Sequence, residues 1–212
     1  MDKRELVQLY QNQPLKLRLY ARIRLLIFDF DKLLTFLPER PISIYDIGCG
    51  YGLFSFILAA HYPHSAVKAF DADRKRIQTL KAMNPYQNLE FIHQDALSMD
   101  KFEAGTIIFN DLLHHLAYQD QKRLLSNIRA NAPENVTLVV KDMDKGRFSI
   151  RQFFNYLIDV VNTKEFGFHY HTRETFNALF ASCGFKINRQ GYANSFFIPL
   201  NHLVTTLSKA ED

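Results

Sequence analysis

From Pro41 onward the chain repeats one pattern: a short apolar run, a turn, a stretch of helical periodicity, then another apolar run. Strands separated by helical segments of about a dozen residues cannot be hairpin partners, so the pattern commits the chain to parallel βαβ units and a doubly wound α/β sheet. Strands are expected at residues 42–47, 66–70, 89–92, 106–109 and 136–140, with helices at 53–61, 74–83 and 121–130. Further helices are expected at 153–161 and 173–183, then two runs at 185–190 and 197–207 close enough to be antiparallel neighbours. A length of 212 residues suits one such domain with one added element. That element comes first. After Pro14, Leu15, Leu19, Ile23, Leu26, Phe30, Leu33 and Leu37 fall at helical spacing until Pro38, which predicts one long N-terminal helix. Residues 1–40 are therefore read as a helical extension and 41–212 as the α/β domain.

The turn after the first strand reads Asp46-Ile47-Gly48-Cys49-Gly50-Tyr51-Gly52. Open α/β sheets bind ligands at such a turn, where glycines let the backbone approach closely and a helix N-terminus follows. A dinucleotide fingerprint would need a third glycine where Leu53 stands. Asp46 would repel a pyrophosphate but suits the amino group of an amino-acid-like ligand. Asp71 ends the second strand 23 residues after Gly48, near the spacing expected of an acid that holds a ribose diol. Asp73 is the competing acid and is read as the cap of the next helix. Asp95 follows the third strand, where a carboxylate can accept from an exocyclic amine. Together the three acids stand at successive strand tips along one sheet edge.

Charge and composition narrow the partners. The formal charge is +4, and residues 1–24 hold six cations against two acids, so this stretch carries the whole excess. An acidic partner is allowed, not required. Cys49 and Cys183 are too few for a disulfide framework and lack companions at metal-ligand spacing, so a reducing compartment and no bound metal are expected. The N-terminus shows no apolar leader and no run of about 18 apolar residues occurs, which reads as a cytoplasmic chain without a membrane span.

These residues resemble the class I S-adenosylmethionine-dependent methyltransferases over about 41–208. The resemblance rests on the Asp46–Gly52 motif, Phe70-Asp71, Gln94-Asp95-Ala96, Asn110-Asp111-Leu112-Leu113-His114-His115-Leu116, Lys141-Asp142 and Cys183-Gly184-Phe185. It implies a Rossmann-like sheet of order 3-2-1-4-5-7-6 with the last strand antiparallel. It also implies S-adenosylmethionine as cofactor, with Asp46, Gly48, Cys49 and Gly50 around the methionine part. Asp71 with Ala72 would hold the ribose, Asp95 with Ala96 the adenine, and the Asn110 backbone would pass the sulfonium. More loosely, Tyr20, Arg22, Arg24, Lys141, Asp142, Asp144, Asn155 and Asp159 look like those of stand-alone bacterial enzymes beside lipid and aryl-polyene genes. The amino-methyltransferase signature of nucleic-acid enzymes is absent, since Asp111 and Leu112 stand where prolines are needed. Nucleic acid is thus disfavoured, with an RNA methyltransferase and a non-catalytic cofactor-binding module kept as rivals.

The acceptor side offers His114 and His115 after the fourth strand, and His169, Tyr170 and His171 on a later loop. His115 is the expected general base with His114 turned away, although each histidine also reads as a packing residue. Asp142 and Asp144 either orient a base or start a helix. Thirteen aromatics between Phe148 and Phe197 favour an apolar or aromatic acceptor, even with most of them in the core. The basic N-terminal helix is left with three readings: a lid over the acceptor pocket, a membrane-surface helix, or a packed helix with snorkelling arginines.

Overall fold

A computed structural model describes residues 3–146, 168–193 and 201–211. Its frame is a seven-stranded sheet: β1 (Ser43–Ile47), β2 (Ala66–Asp71), β3 (Leu89–His93), β4 (Thr106–Asn110), β5 (Thr137–Met143), β6 (Phe185–Tyr192) and β7 (His202–Lys209). The strand order is β3-β2-β1-β4-β5-β7-β6. β1 runs parallel to both β2 and β4, with Ile47 beside Phe70 and Phe109. β7 lies antiparallel to β5 and β6. The order reverses between β1 and β4, which opens a crevice at the carboxyl ends of those strands.

Alternation along the strands feeds two cores. Ile44, Val67, Ala69, Phe91 and Ile108 face one side, where α4 (Leu53–His61) and α5 (Arg74–Met83) pack. Tyr45, Ile47, Phe70, Ile107 and Phe109 face the other, covered by α6 (Tyr118–Asn131) and α7 (Arg173–Ser182). Local chemistry fixes the helix starts. Asp73 accepts from the Lys75 and Arg76 amides at the start of α5, and Thr172 and Thr175 form a capping box at α7. Asp73 is therefore a cap.

The N-terminal region corrects the single long helix. There are three: α1 (Lys3–Leu9), α2 (Leu15–Ile27) and α3 (Phe30–Leu34). Phe28 leaves the helix for an extended conformation, and Asp29 caps the next one by accepting from the Lys32 amide. The break is worth its lost hydrogen bonds because Phe28 is buried against the His202 ring and beneath the Lys141 ammonium. Tertiary packing overrides a continuous periodicity here. Leu17, Ala21, Leu25, Phe30 and Leu33 are buried in the α4 and α5 core, with Phe30 stacked 5.8 Å from Phe54.

β5 corrects a second expectation, since it runs through Lys141 and Asp142 to Met143. Its antiparallel pairing with β7 continues to Met143 opposite His202, so neither Asp142 nor Asp144 starts a helix. The helix expected at 153–161 lies outside the described residues, as does 197–200 of the last strand, which in its described part covers His202–Lys209. Among the described residues, no helix is long and apolar enough to cross a membrane.

Candidate active site

The tips of the first four strands open onto one cavity of about 280 Å³. Gly48, Cys49 and Gly50 line it from the turn after β1, Asp71 and Ala72 from β2, Asp95 and Ala96 from beyond β3, and Asn110 and His115 from beyond β4. Nine of the residues expected to act are thus neighbours. Asp46, His114 and Asp142 stand behind that wall.

The glycine turn is tied down by its neighbour strand. The Gly48 and Cys49 amides donate to the Phe70 carbonyl at 2.8 and 2.9 Å, and the Gly50 amide donates to Asp71 Oδ2 at 2.8 Å. Gly48 has a φ of 77°, so the backbone demands glycine, and a Cβ there would also have to displace the Leu112 methyl 2.7 Å away. At Gly50, with a φ of 58°, a Cβ would meet nothing within 4 Å and would stand in the open crevice.

Each acid has a different setting. Asp46 is buried beneath the turn, its Oδ2 accepting from the Ser55 hydroxyl at 2.6 Å. Its Oδ1 is buried without a hydrogen-bond partner. Burial pushes this carboxyl up to about 6, against the opposing Ser55 hydrogen bond. Asp71 accepts from the Gly50 amide and, at 2.8 Å, from the Asp73 amide, while Arg76 lies 3.7 Å away. Asp95 accepts from the Leu97 amide and caps a short 3₁₀ turn. Burial, with Asp46 and Asp71 adding to it, raises the Cys49 thiol well above its usual range, so it stays protonated.

Beyond β4, the Asn110 side-chain oxygen is buried without a hydrogen-bond partner. Asp111 follows with a φ of 59°, a left-handed conformation that its neighbours hold. Its carboxylate takes both Lys141 from β5 and Arg24 from α2. Burial alone would raise Asp111, but those two cations outweigh it and hold the carboxyl well below the usual range. His114 is fully buried, its amide on Asp142 Oδ2 and its ring Nδ1 2.5 Å from Oδ1. A carboxylate at Nδ1 fixes the tautomer and leaves Nε2 as the basic nitrogen. The His115 ring lies 4.2 Å from that of His114 and borders the cavity.

The later histidines sit elsewhere. The His169 amide donates to the His114 carbonyl, and His171 Nε2 is 2.7 Å from Gln121 Oε1, so this stretch packs behind His114 rather than on the cavity wall. Asp111, His114 and Asp142 are near enough together to share a cation. Arg24 and Lys141 already neutralise Asp111, and His114 already occupies Asp142.

Tyr20, Arg24 and Phe30 close the cavity from the N-terminal helices, with Tyr51 and Arg76 beside them. The Tyr20 and Tyr51 rings meet edge to face at 4.9 Å, and the Arg76 guanidinium lies 5.0 Å from the Tyr51 ring centre. The i,i+4 spacing of Tyr20 and Arg24 already put them on one helix face, a signal not weighed in the sequence. The pairing of Asp111 with Lys141 had no such signal, since strand register brings them together.

A family profile described as a methyltransferase domain matches residues 18–190. Malonyl-[acyl-carrier protein] O-methyltransferase 1 of Ilyobacter polytropus is 22% identical over 129 residues, covering 60% of this chain and 48% of that protein. The chain thus spans about half the length of the curated relative it matches. Among solved structures, the mitomycin 7-O-methyltransferase superposes with a TM-score of 0.75 at 17% identity, over 97% of this chain and 60% of that one. Human N-acetylserotonin methyltransferase in complex with S-adenosylmethionine gives 0.72 at 18% identity, over 99% and 57%. With a family match over most of its length on this sheet, the chain belongs to the class I S-adenosylmethionine-dependent methyltransferases.

Proposed function

We propose that this chain transfers the methyl group of S-adenosylmethionine to an apolar or aromatic small molecule or a lipid-pathway intermediate. One observation carries the reading: the strand-tip acids Asp71 and Asp95 share a single cavity with the Gly48–Gly50 turn, with His115 and with an apolar wall of Phe30, Phe54, Leu112 and Leu116. The cofactor half suits the donor groups present. Asp46 Oδ1 is an orphaned buried acceptor, and Gly50 leaves open space where a side chain would intrude. Asp46 and the Gly48–Gly50 turn would hold the methionine end, Asp71 and Ala72 the ribose, Asp95 and Ala96 the adenine, and Asn110 the region of the sulfonium. When bound, S-adenosylmethionine supplies an electrophilic methyl on a sulfonium that departs as a neutral thioether.

This chain's residues then align the acceptor and take its proton. His115, at the cavity wall, is the base, and Asp142 holds His114 rigid behind it. The relatives, a malonyl-[acyl-carrier protein] O-methyltransferase and methyltransferases of mitomycin and N-acetylserotonin, support an acceptor that is not nucleic acid. Residues 1–40 serve as the wall or lid on the acceptor side and as the element of peripheral membrane contact, with 41–212 as the methyltransferase domain. Incubation with methyl-labelled cofactor and separate pools of malonyl carrier thioester, phenolic aromatics, lipid extract and RNA tests this. Label is expected in one of the first three; label in RNA alone, or in none, contradicts the reading.

A further inference from the structure

The α2 helix is apolar on two opposed faces. Leu17, Ala21 and Leu25 are buried in the core, yet Leu15, Leu19, Ile23 and Leu26 are 74, 53, 36 and 67% exposed. At about 100° per residue these four fall within one sector of about 80°. Arg18 and Arg22 border that sector on one side and Lys16 on the other. The helix contains no acid, and none of these three cations is in an ion pair among the described residues. Arg18 and Arg22 also line a groove of about 260 Å³ with Val7, Gln8 and Gln11 at the α1–α2 junction. The two guanidiniums and the NH₂ groups of the two carboxamides offer charge-assisted and neutral donors suited to a phosphate oxygen.

We propose that this face of α2 docks the protein on an anionic membrane surface, the aliphatic crest entering the acyl boundary while Arg18, Arg22 and Lys16 meet headgroup phosphates, one of them in the groove. A crest flanked by cations on both sides matches a flat anionic interface. A second copy fits poorly, because a two-fold contact on this face would bring Arg18, Arg22 and Lys16 against their own equivalents with no acid on α2 to offset them. Another face of α2 carries Tyr20 and Arg24 to the cavity wall, so the helix that docks is also a wall of the site. This deepens the membrane contact assigned to residues 1–40, and it needs only the folded N-terminal helices, so it stands separately from the transfer reaction.

Vesicle flotation of the full chain, with pure phosphatidylcholine against vesicles holding a third phosphatidylglycerol, tests it. Binding is expected only to the anionic vesicles and should weaken as salt rises. Arg18→Gln with Arg22→Gln should lower the partition coefficient about fivefold per cation. Leu15→Asp with Leu19→Asp, both at exposed positions, should abolish binding while S-adenosylhomocysteine affinity stays unchanged, which shows that the variant is folded. Three results would overturn the proposal: no flotation of the wild type, equal flotation on neutral vesicles, or retained binding by the leucine pair variant. Light scattering that finds a dimer dispersed by the leucine pair would reassign the face to a second copy.

Discussion

At Asp46 the protein keeps a carboxyl that burial lifts to about 6, with Oδ1 left over after Ser55 is served. Between about pH 4, near its ordinary value, and pH 6, the folded chain binds the extra proton, so apoprotein stability falls as pH rises through that window, by roughly 2 to 3 kcal/mol in all. An ammonium brought to Oδ1 favours the ionised form. Cofactor affinity should therefore rise with pH and level off above 6, being about tenfold weaker at pH 5 than at pH 7. Calorimetry across that range checks it, and Asp46→Asn should weaken binding and flatten both profiles; a wild-type affinity constant from pH 5 to 7 would remove Asp46 from the site. Asp71→Ala should cost about 2 to 3 kcal/mol of cofactor affinity, the scale of bonds to a charged acceptor. His115→Ala should keep that affinity while kcat falls about 10² to 10⁴. A drop below about threefold would return His115 to a packing role, with alignment alone carrying the reaction.

Between α2, β4 and β5, one carboxylate is shared by two cations that arrive from different elements. Lys141 is fully buried, so Asp111→Asn strands its ammonium and should destabilise the fold by about 3 to 5 kcal/mol in denaturant unfolding. The double replacement of Asp111→Asn and Lys141→Met should cost clearly less than the two single changes added together, since it removes the fully buried ammonium together with its carboxylate. Additive losses would mean the two side chains act independently. The βαβ elements here were legible because each strand and helix carries its own apolar period, with a side-chain cap added at Asp73 and at Thr172. The break at Phe28 was not, because Leu26, Phe30 and Leu33 continue the helical spacing, while Phe28 packs against His202 and Lys141, residues distant in the chain. The extension of β5 through Asp142 was hidden for a related reason: its edge is set by β7, more than fifty residues later, and a mixed polar run gives no strand period.

Across the whole molecule, the sheet order follows from the family resemblance rather than from periodicity, which orders elements along the chain but not in space. The strand-tip acids were readable because topology places successive tips on one edge. The other wall was not, since it comes from helices whose docking depends on Phe30 against Phe54 and Tyr10 against Phe56. Because Leu17, Leu25, Phe28 and Leu33 lie in the same core as α4, deleting residues 1–37 should unfold the protein rather than merely open the pocket, each lost side chain removing about 1.5 to 3 kcal/mol of burial. A deletion variant with a cooperative wild-type unfolding transition would contradict that. The central claim is that the crevice between β1 and β4 holds S-adenosylmethionine. Titration calorimetry with S-adenosylhomocysteine tests it most directly: one site per chain is expected in the wild type, with the loss set out above in a folded Asp71→Ala protein. No binding heat, or equal affinity in the two proteins, would contradict the account.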